Sequence, residues 1–322
     1  MRVTSRLSFL LLVCAFLVVN IGTAAAQDFP TKPIRIIVPN SAGTIGDLMA
    51  RIIGPEWTKT LGQPIVIEVK PGANMVIGLE YVAKQVPADG YTIAMVSVSS
   101  LPALPVTVKD LRFDPLKDLP PFIGIAEGKL IAGTSSQAPW KTFNELVAYA
   151  RSNPGKLNYG ASSPSSRVPV EVVIRGLALN IVHIPYSGAA PQYQGMASGD
   201  VAIGITTESA AQTFGEKLRI IAVTGKQRST MFPDAPTFTE LGFPQIRGSS
   251  FSMSVPVGVP KAVFDKLYKT ASQALQQPEV KVGFDRLRYE ITNTPPDVTA
   301  RNIAEEAKVF ADIAKEIGLK PQ

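Results

Sequence analysis

Taken by hydrophobic and polar positions alone, the first strand-like run is Ile34–Val38, Ile-Arg-Ile-Ile-Val, and Pro39 ends it because proline has no N–H for a ladder. From Asp47 onward Leu48, Ile52, Ile53, Trp57 and Leu61 share one helical face, which predicts a helix starting at Gly46 and Asp47. Residues 64–69 read as a second strand, Lys70-Pro71-Gly72-Ala73-Asn74 as a turn, and 76–85 as a second helix. Asp89-Gly90 turns the chain into a third strand at 91–96, which ends in Ser97, Ser99 and Ser100. Such a succession, with small polar residues after each strand, predicts a largely parallel sheet with its loops gathered at one edge. Ligands bind outside the carboxyl ends of strands in such sheets.

Between Leu101 and Pro121 prolines break the pattern, and the apolar run 122–132 then reads as a segment crossing to a second domain. Residues 142–151 are helical, with Phe143, Leu146 and Val147 on one face, and Asn153-Pro154-Gly155 stops them. A short strand at 156–159 leads into the small-residue loop 160–167 and a helix containing 171–177, repeating the layout of the first domain. Further strands are expected at 181–185, 201–205 and 218–223, separated by glycine turns at Gly188 and Gly199 and by the segment 209–214. Residues 250–255 read as a second crossing strand, followed by two amphipathic helices over 261–276 and 297–317. The expected architecture is two α/β lobes, 27–125 plus 250–322 and 126–249, enclosing a hinged cleft.

The segment upstream does not belong to that core. Arg2 and Arg6 precede an apolar run over 7–19, and Ala24-Ala25-Ala26 supplies small residues for cleavage before Gln27, so 1–26 reads as a secretory signal peptide. That run is shorter than the ~20 residues needed to span a bilayer. The single cysteine, Cys14, falls inside the signal, and a lipoprotein reading is disfavoured by bulky Val13 where a small residue is needed. The exported chain is therefore expected in the periplasm without disulfides or cysteine ligands.

A length of 322 residues, 45% of them hydrophobic and 18% charged, suits a globular protein with room for two cores. The formal charge of +6 is scattered, with no aromatic-flanked basic cluster, so a nucleic-acid surface has no support and attraction of small anions does. Catalytic chemistry is poorly supplied. One histidine, His183, sits in an apolar strand and reads as packed, and no cysteine–histidine pair or histidine-rich metal site can be assembled. There is no G-x-S-x-G elbow, no phosphate loop and no dinucleotide fingerprint. Trp57 and Trp140 both read as core. The loop between the first strand and the first helix remains as a candidate site. Asn40, Ser41, Gly43 and Thr44 before a helix start form a natural anion cradle, since unpaired N–H groups and the helix dipole favour negative charge. The same residues also serve any strand-to-helix turn, and Asp47 reads first as a helix cap that also holds water.

The order and spacing of several segments carry a resemblance. They include Phe29-Pro30-Thr31-Lys32-Pro33, Leu61-Gly62-Gln63-Pro64, Lys70-Pro71-Gly72-Ala73, Asp89-Gly90-Tyr91-Thr92, Pro154-Gly155-Lys156-Leu157-Asn158-Tyr159, His183-Ile184-Pro185-Tyr186-Ser187-Gly188 and Pro256-Val257-Gly258-Val259-Pro260. With these the chain resembles the periplasmic substrate-binding proteins of tripartite tricarboxylate transporters, the Bordetella uptake gene family, along essentially all of its mature length. The resemblance implies a type II periplasmic-binding fold closing over a small mono- or dicarboxylate, delivery to membrane permease subunits, a monomer, and no cofactor or metal. It places Ser41, Ala42, Gly43, Thr44 and Asp47 in a first clamp and Ala73 and Asn74 in the adjoining loop. Ser99 and Ser100 fall in a strand-end wall, and Ser162, Ser163, Ser165, Ser166 and Arg167 in a second clamp.

Departures from the family pattern are Asn40 for an aromatic, Thr44 for a glycine, Arg167 for a histidine and Thr206 for an acidic residue. Losing a carboxylate and gaining a guanidinium favour a more anionic ligand. Arg167 is a candidate partner for a ligand carboxylate, with a solvated helix-start residue as the alternative. A ligand-sensing module that docks on a membrane receptor or sensor kinase would use the same closure.

Overall fold

The computed structural model describes residues 29–73, 75–316 and 318; the expected signal peptide, Cys14 and Asn74 lie outside the described residues. In chain order the elements are β1 (Ile34–Val38), α1 (Ile45–Leu61), β2 (Ile65–Val69), α2 (Val76–Lys84), β3 (Thr92–Ser97), α3 (Leu104–Thr107), β4 (Pro121–Gly128), β5 (Leu130–Ser135) and α4 (Phe143–Ser152). They continue as β6 (Leu157–Ala161), α5 (Pro164–Gly176), β7 (Ile181–Pro185), α6 (Ala189–Ser198), β8 (Ile203–Thr207), α7 (Glu208–Phe214) and β9 (Leu218–Val223). The last are β10 (Ser249–Ser254), α8 (Lys261–Leu275), α9 (Pro278–Leu287), β11 (Tyr289–Thr294) and α10 (Pro296–Glu316).

Two sheets result, one ordered β11-β4-β10-β3-β1-β2 and the other β7-β6-β8-β5-β9. Each is mixed rather than largely parallel. β1 pairs in parallel with β2 and β3, and β6 with β7 and β8, because helices carry the chain back between them. β4 and β10 pair antiparallel, since one leaves the first sheet and the other returns to it. The apolar run at 122–132 is not one strand but two, β4 in the first sheet and β5 in the second, with Lys129 alone between them. Gly248 precedes β10 at the return crossing. A Cβ there would stand 2.4 Å from the Gly128 carbonyl oxygen, so the two crossings touch backbone to backbone only with glycine.

Alternation along the strands fills both faces of the first sheet. Ile34, Ile36 and Val38 pack with Trp57, Met49 and Leu267 on one side, and Ile37, Ala94 and Val96 pack with Leu79 and Ile303 on the other. Both tryptophans are core. Trp57 is fully buried and its indole N–H donates to Thr270 Oγ1 at 2.9 Å, and Trp140 donates to Thr134 Oγ1 at 3.0 Å. Helix α10 spans both halves, because Ile303 packs under the first sheet while Phe310 and Ile313 join the core of the second.

Five elements escaped the periodicity reading, among them the short α3 and α7. Helix α6 is Ala-Ala-Pro-Gln-Tyr-Gln-Gly-Met-Ala-Ser, with no continuous apolar face, and the expected turns at Gly188 and Gly199 are its two caps. β11 is Tyr-Glu-Ile-Thr-Asn-Thr on the sheet edge, where most side chains stay half-exposed, and α9 fills the space between it and α8.

Candidate functional site

The loop after β1 is built by Asp47 folding back on it. Asp47 is 2% exposed, and its Oδ2 accepts the Gly43 N–H at 2.8 Å and the Arg51 Nε–H at 3.1 Å. Burial pushes this carboxyl up, but the Arg51 and Gly43 bonds outweigh it and hold the group below the usual carboxylate range. Its acceptor capacity is thus turned inward, as a loop cap. Thr44 occupies the N-cap of α1 without capping it, because its hydroxyl donates instead to the Ser41 carbonyl at 2.8 Å. Among the described residues nothing accepts from the N–H groups of Ile45, Gly46 and Asp47. Ser41, Ala42 and Gly43 are exposed beside them, with Gly43 at φ +80°.

A second uncapped helix start adjoins the first. The N-cap of α2, Met75, has φ 76° and makes no side-chain cap, and Ala73 at φ 44° accepts the Val76 N–H through its carbonyl at 3.1 Å. Gly78 brings this turn onto the end of β1: a Cβ there would fall 2.7 Å from the Lys70 carbonyl oxygen and 2.9 Å from Pro39. The start of α2 therefore packs on Pro39, the residue that opens the loop into α1.

The strand-end serines are spent locally. The Ser99 hydroxyl donates to the Gly248 carbonyl at 3.4 Å, at the return crossing, and that of Ser100 to Ser97 Oγ at 3.1 Å. Glu306, on α10, sits against Ser99. Burial pushes its carboxyl up to about 7, with Ser99 and Arg247 opposing and Glu127 adding to the rise.

The loop after β6 closes on itself. Ser163 Oγ accepts the Ser166 N–H at 3.3 Å, and Ser166 Oγ accepts the N–H groups of Ser163 and Ser162 at 3.2 and 3.1 Å, a capping box for α5. Ser165 Oγ meets Ser163 Oγ at 3.0 Å. Arg167 lies beside a carboxylate, with its side chain 23% exposed. Its Nε lies 3.5 Å from Glu171 Oε1, one helical turn on, and Tyr159 donates its hydroxyl to the same oxygen. Burial and then Glu171 push the Tyr159 hydroxyl up, while burial and then Arg167 push His183 down. His183 packs against the Tyr159 ring at 5.0 Å, as a packed strand residue should.

Near the two loops lie further residues that, Thr206 apart, no sequence pattern singled out. The Phe251 ring lies 3.4 Å from where a Cβ of Gly46 would stand, and Phe251 meets Tyr289 edge-on at 5.8 Å. The Tyr289 hydroxyl, pushed up by burial, feels Tyr193 of α6. Tyr193 in turn sits beside Thr206, whose Oγ1 is buried without a partner in hydrogen-bond geometry. Gln192, also on α6, ties Ser162 to the end of β8, its Oε1 accepting the Ser162 N–H at 3.0 Å and its Nε2 donating to the Ile205 carbonyl at 2.8 Å. Of these residues the sequence singled out only Thr206; no period marks Gln192, Tyr193, Phe251 or Tyr289, whose partners are distant in the chain.

Residues 49–319 match the model of the tripartite tricarboxylate transporter family receptor. The chain belongs to that family. It is 33% identical to the UPF0065 protein in the gbd 5' region of Cupriavidus necator, over 92% of this chain and 90% of that one. Among solved structures, the R. palustris protein Rpa4515 with adipate superposes at a TM-score of 0.74, with 28% identity over 92% of this receptor and all of its own chain. MatC from Rhodopseudomonas palustris with bound malate does so at 0.71, with 27% identity over 89% of this receptor and all of its own chain. The fold is thus the two-lobed α/β form of the family's periplasmic binding proteins. No helix among the described residues is long and apolar enough to cross a membrane.

Proposed function

We propose that this receptor captures a small mono- or dicarboxylate in the periplasm and delivers it to the permease subunits of a tripartite tricarboxylate-type transporter. The observation that carries the reading is the uncapped start of α1, where among the described residues the N–H groups of Ile45, Gly46 and Asp47 are unspent and exposed small residues lie alongside. Malate and adipate in the two related structures are ligands of the class such a donor cluster suits. The division into lobes falls at the paired crossings, near Lys129 and Gly248, with α10 bridging both sides. Ser41, Ala42, Gly43, Thr44 and Ala73 frame the anion, Asp47 shapes the loop from within, and the Ser162–Ser166 loop closes from the other lobe. Signal-peptide export and a monomeric state complete the proposal.

The test is a thermal-shift screen of residues 27–322, stripped of co-purified ligand by unfolding and refolding, against aliphatic, hydroxylated and aromatic carboxylates with neutral amides as controls. Ligand at ~100 times its Kd adds about 2.7 kcal/mol, a shift of several degrees. Stabilisation by acids and not by amides is expected. Silence across the acids would overturn the reading.

A further inference from the structure

In the second sheet β6 and β8 run side by side, paired through Tyr159 with Ile203 and Gly160 with Gly204, and the pairing ends there. Gln192 from α6 fills the opening with no solvent exposure. Its Oε1 accepts the Ser162 N–H at 3.0 Å and the Ser162 hydroxyl at 2.7 Å, and its Nε2 donates to the Ile205 carbonyl at 2.8 Å. One side-chain amide therefore satisfies a donor of one parted strand end and an acceptor of the other.

This arrangement sets the polarity of the second loop. Ser162 gives its hydroxyl proton to Gln192 and shares its N–H between Gln192 Oε1 and Ser166 Oγ. The N–H of Ser163 goes to Ser166 Oγ, that of Ser166 to Ser163 Oγ, and Pro164 has none. The Ser166 hydroxyl donates to the Ser163 carbonyl at 3.0 Å. Half-buried Ser162 is left with oxygen lone pairs and no proton to give. Arg167 Nε lies 3.5 Å from Glu171 Oε1, one turn along α5. A second carboxylate would meet lone pairs here; a hydroxyl would meet an acceptor.

We infer that Gln192 is a positioning residue that turns the Ser162 hydroxyl into an acceptor, so that this loop recognises a hydrogen-bond donor on the ligand and the receptor prefers hydroxy acids over their deoxy counterparts. The inference rests on the carboxylate reading above and deepens it. The anion is held at the uncapped start of α1, and the ligand's hydroxyl donates to Ser162 Oγ.

Calorimetric titration of two matched pairs, malate with succinate and 2-hydroxyadipate with adipate, tests it. The wild type should bind the hydroxylated member of a pair about two- to tenfold more tightly, the range of one neutral hydrogen bond. Gln192→Met frees the Ser162 hydroxyl proton and should bring that ratio to about one. Ser162→Ala removes the acceptor without touching the strand ends and should do the same, which keeps the test alive if Gln192→Met does not fold. A purely structural role for Gln192 would weaken both members of a pair equally and leave the ratio unchanged. A wild type with no hydroxyl preference, or a Ser162→Ala variant that keeps it, overturns the inference while leaving carboxylate capture intact. A wild type that binds no acid of the wider panel overturns the proposed function, and this inference with it.

Discussion

The loops after β1 and β6 share one design, a strand, small polar residues and a helix start, and the hydrogen bonds divide them. At the first, Thr44 turns its hydroxyl back to the Ser41 carbonyl and leaves the first turn of α1 uncapped. At the second, Ser163 and Ser166 satisfy each other and Gln192 takes the hydroxyl proton of Ser162. Similar composition thus leaves a run of unspent N–H groups at the first helix start and an accepting Ser162 hydroxyl beside the second. Which oxygen each hydroxyl reaches, more than the number of serines, decides what a loop can bind.

The largest expected effect comes from making the first loop like the second. In Thr44→Asp the carboxylate caps α1 and consumes N–H groups otherwise free for an anion, adding its own charge. Losing bonds to a charged ligand at 1.5–3 kcal/mol each should weaken carboxylate binding about 100-fold in calorimetric titration, while the melting temperature holds or rises. Tighter binding in this variant would break the comparison. The reverse change, Ser163→Ala, opens the capping box of α5. It should cost about 1 kcal/mol, lowering the melting temperature by about 2–4 °C, with affinity changed far less than in Thr44→Asp.

The smallest effect belongs to the joint between the two regions. Glu306 has its carboxyl pushed up to about 7 from a model-peptide value of 4.5, so the folded state holds this proton more tightly than the unfolded chain. Its contribution favours folding below pH 4.5 and is lost as pH rises through 7. Glu306→Gln should therefore be more stable than wild type at pH 8, by about 2 °C, with the difference vanishing near pH 4.5. Equal melting temperatures at pH 8 would show that α10 does not penalise the charge. Asp47 works with the opposite sign: its depressed carboxyl contributes stability above the ordinary value of 3.8 that is lost as pH falls through the lower folded one, outside the Glu306 window.

Much of this was legible because it is local. The run Ile34–Val38, the stop at Pro39 and the spacing of Leu48, Ile53 and Trp57 place a strand, a loop and a helix where the structure has them, within a residue or two. Trp57, Trp140 and His183 read as packed and are packed. Arg167 was harder. A guanidinium in a binding loop suggests a ligand contact, but Glu171 lies one turn further on the same helix and Tyr159 beneath it, so its charge is engaged within the lobe. Gln192 was not legible at all, since α6 has no apolar stripe and its amide acts on strands 30 and 13 residues away in sequence.

By itself the sequence determined what short-range forces determine: the order of the strongly periodic strands and helices, the loops of small residues, core positions such as Trp57 and Trp140, and a family whose members share those signals. The tertiary structure alone decided the mixed pairing of the sheets, the packing of the α2 start on Pro39, the edge-on contact of Phe251 with Tyr289, and the partner each serine hydroxyl finds. Periodicity records which face of an element is dry. It carries no record of which distant carbonyl or amide a hydroxyl will find, and that partner sets whether a loop donates or accepts.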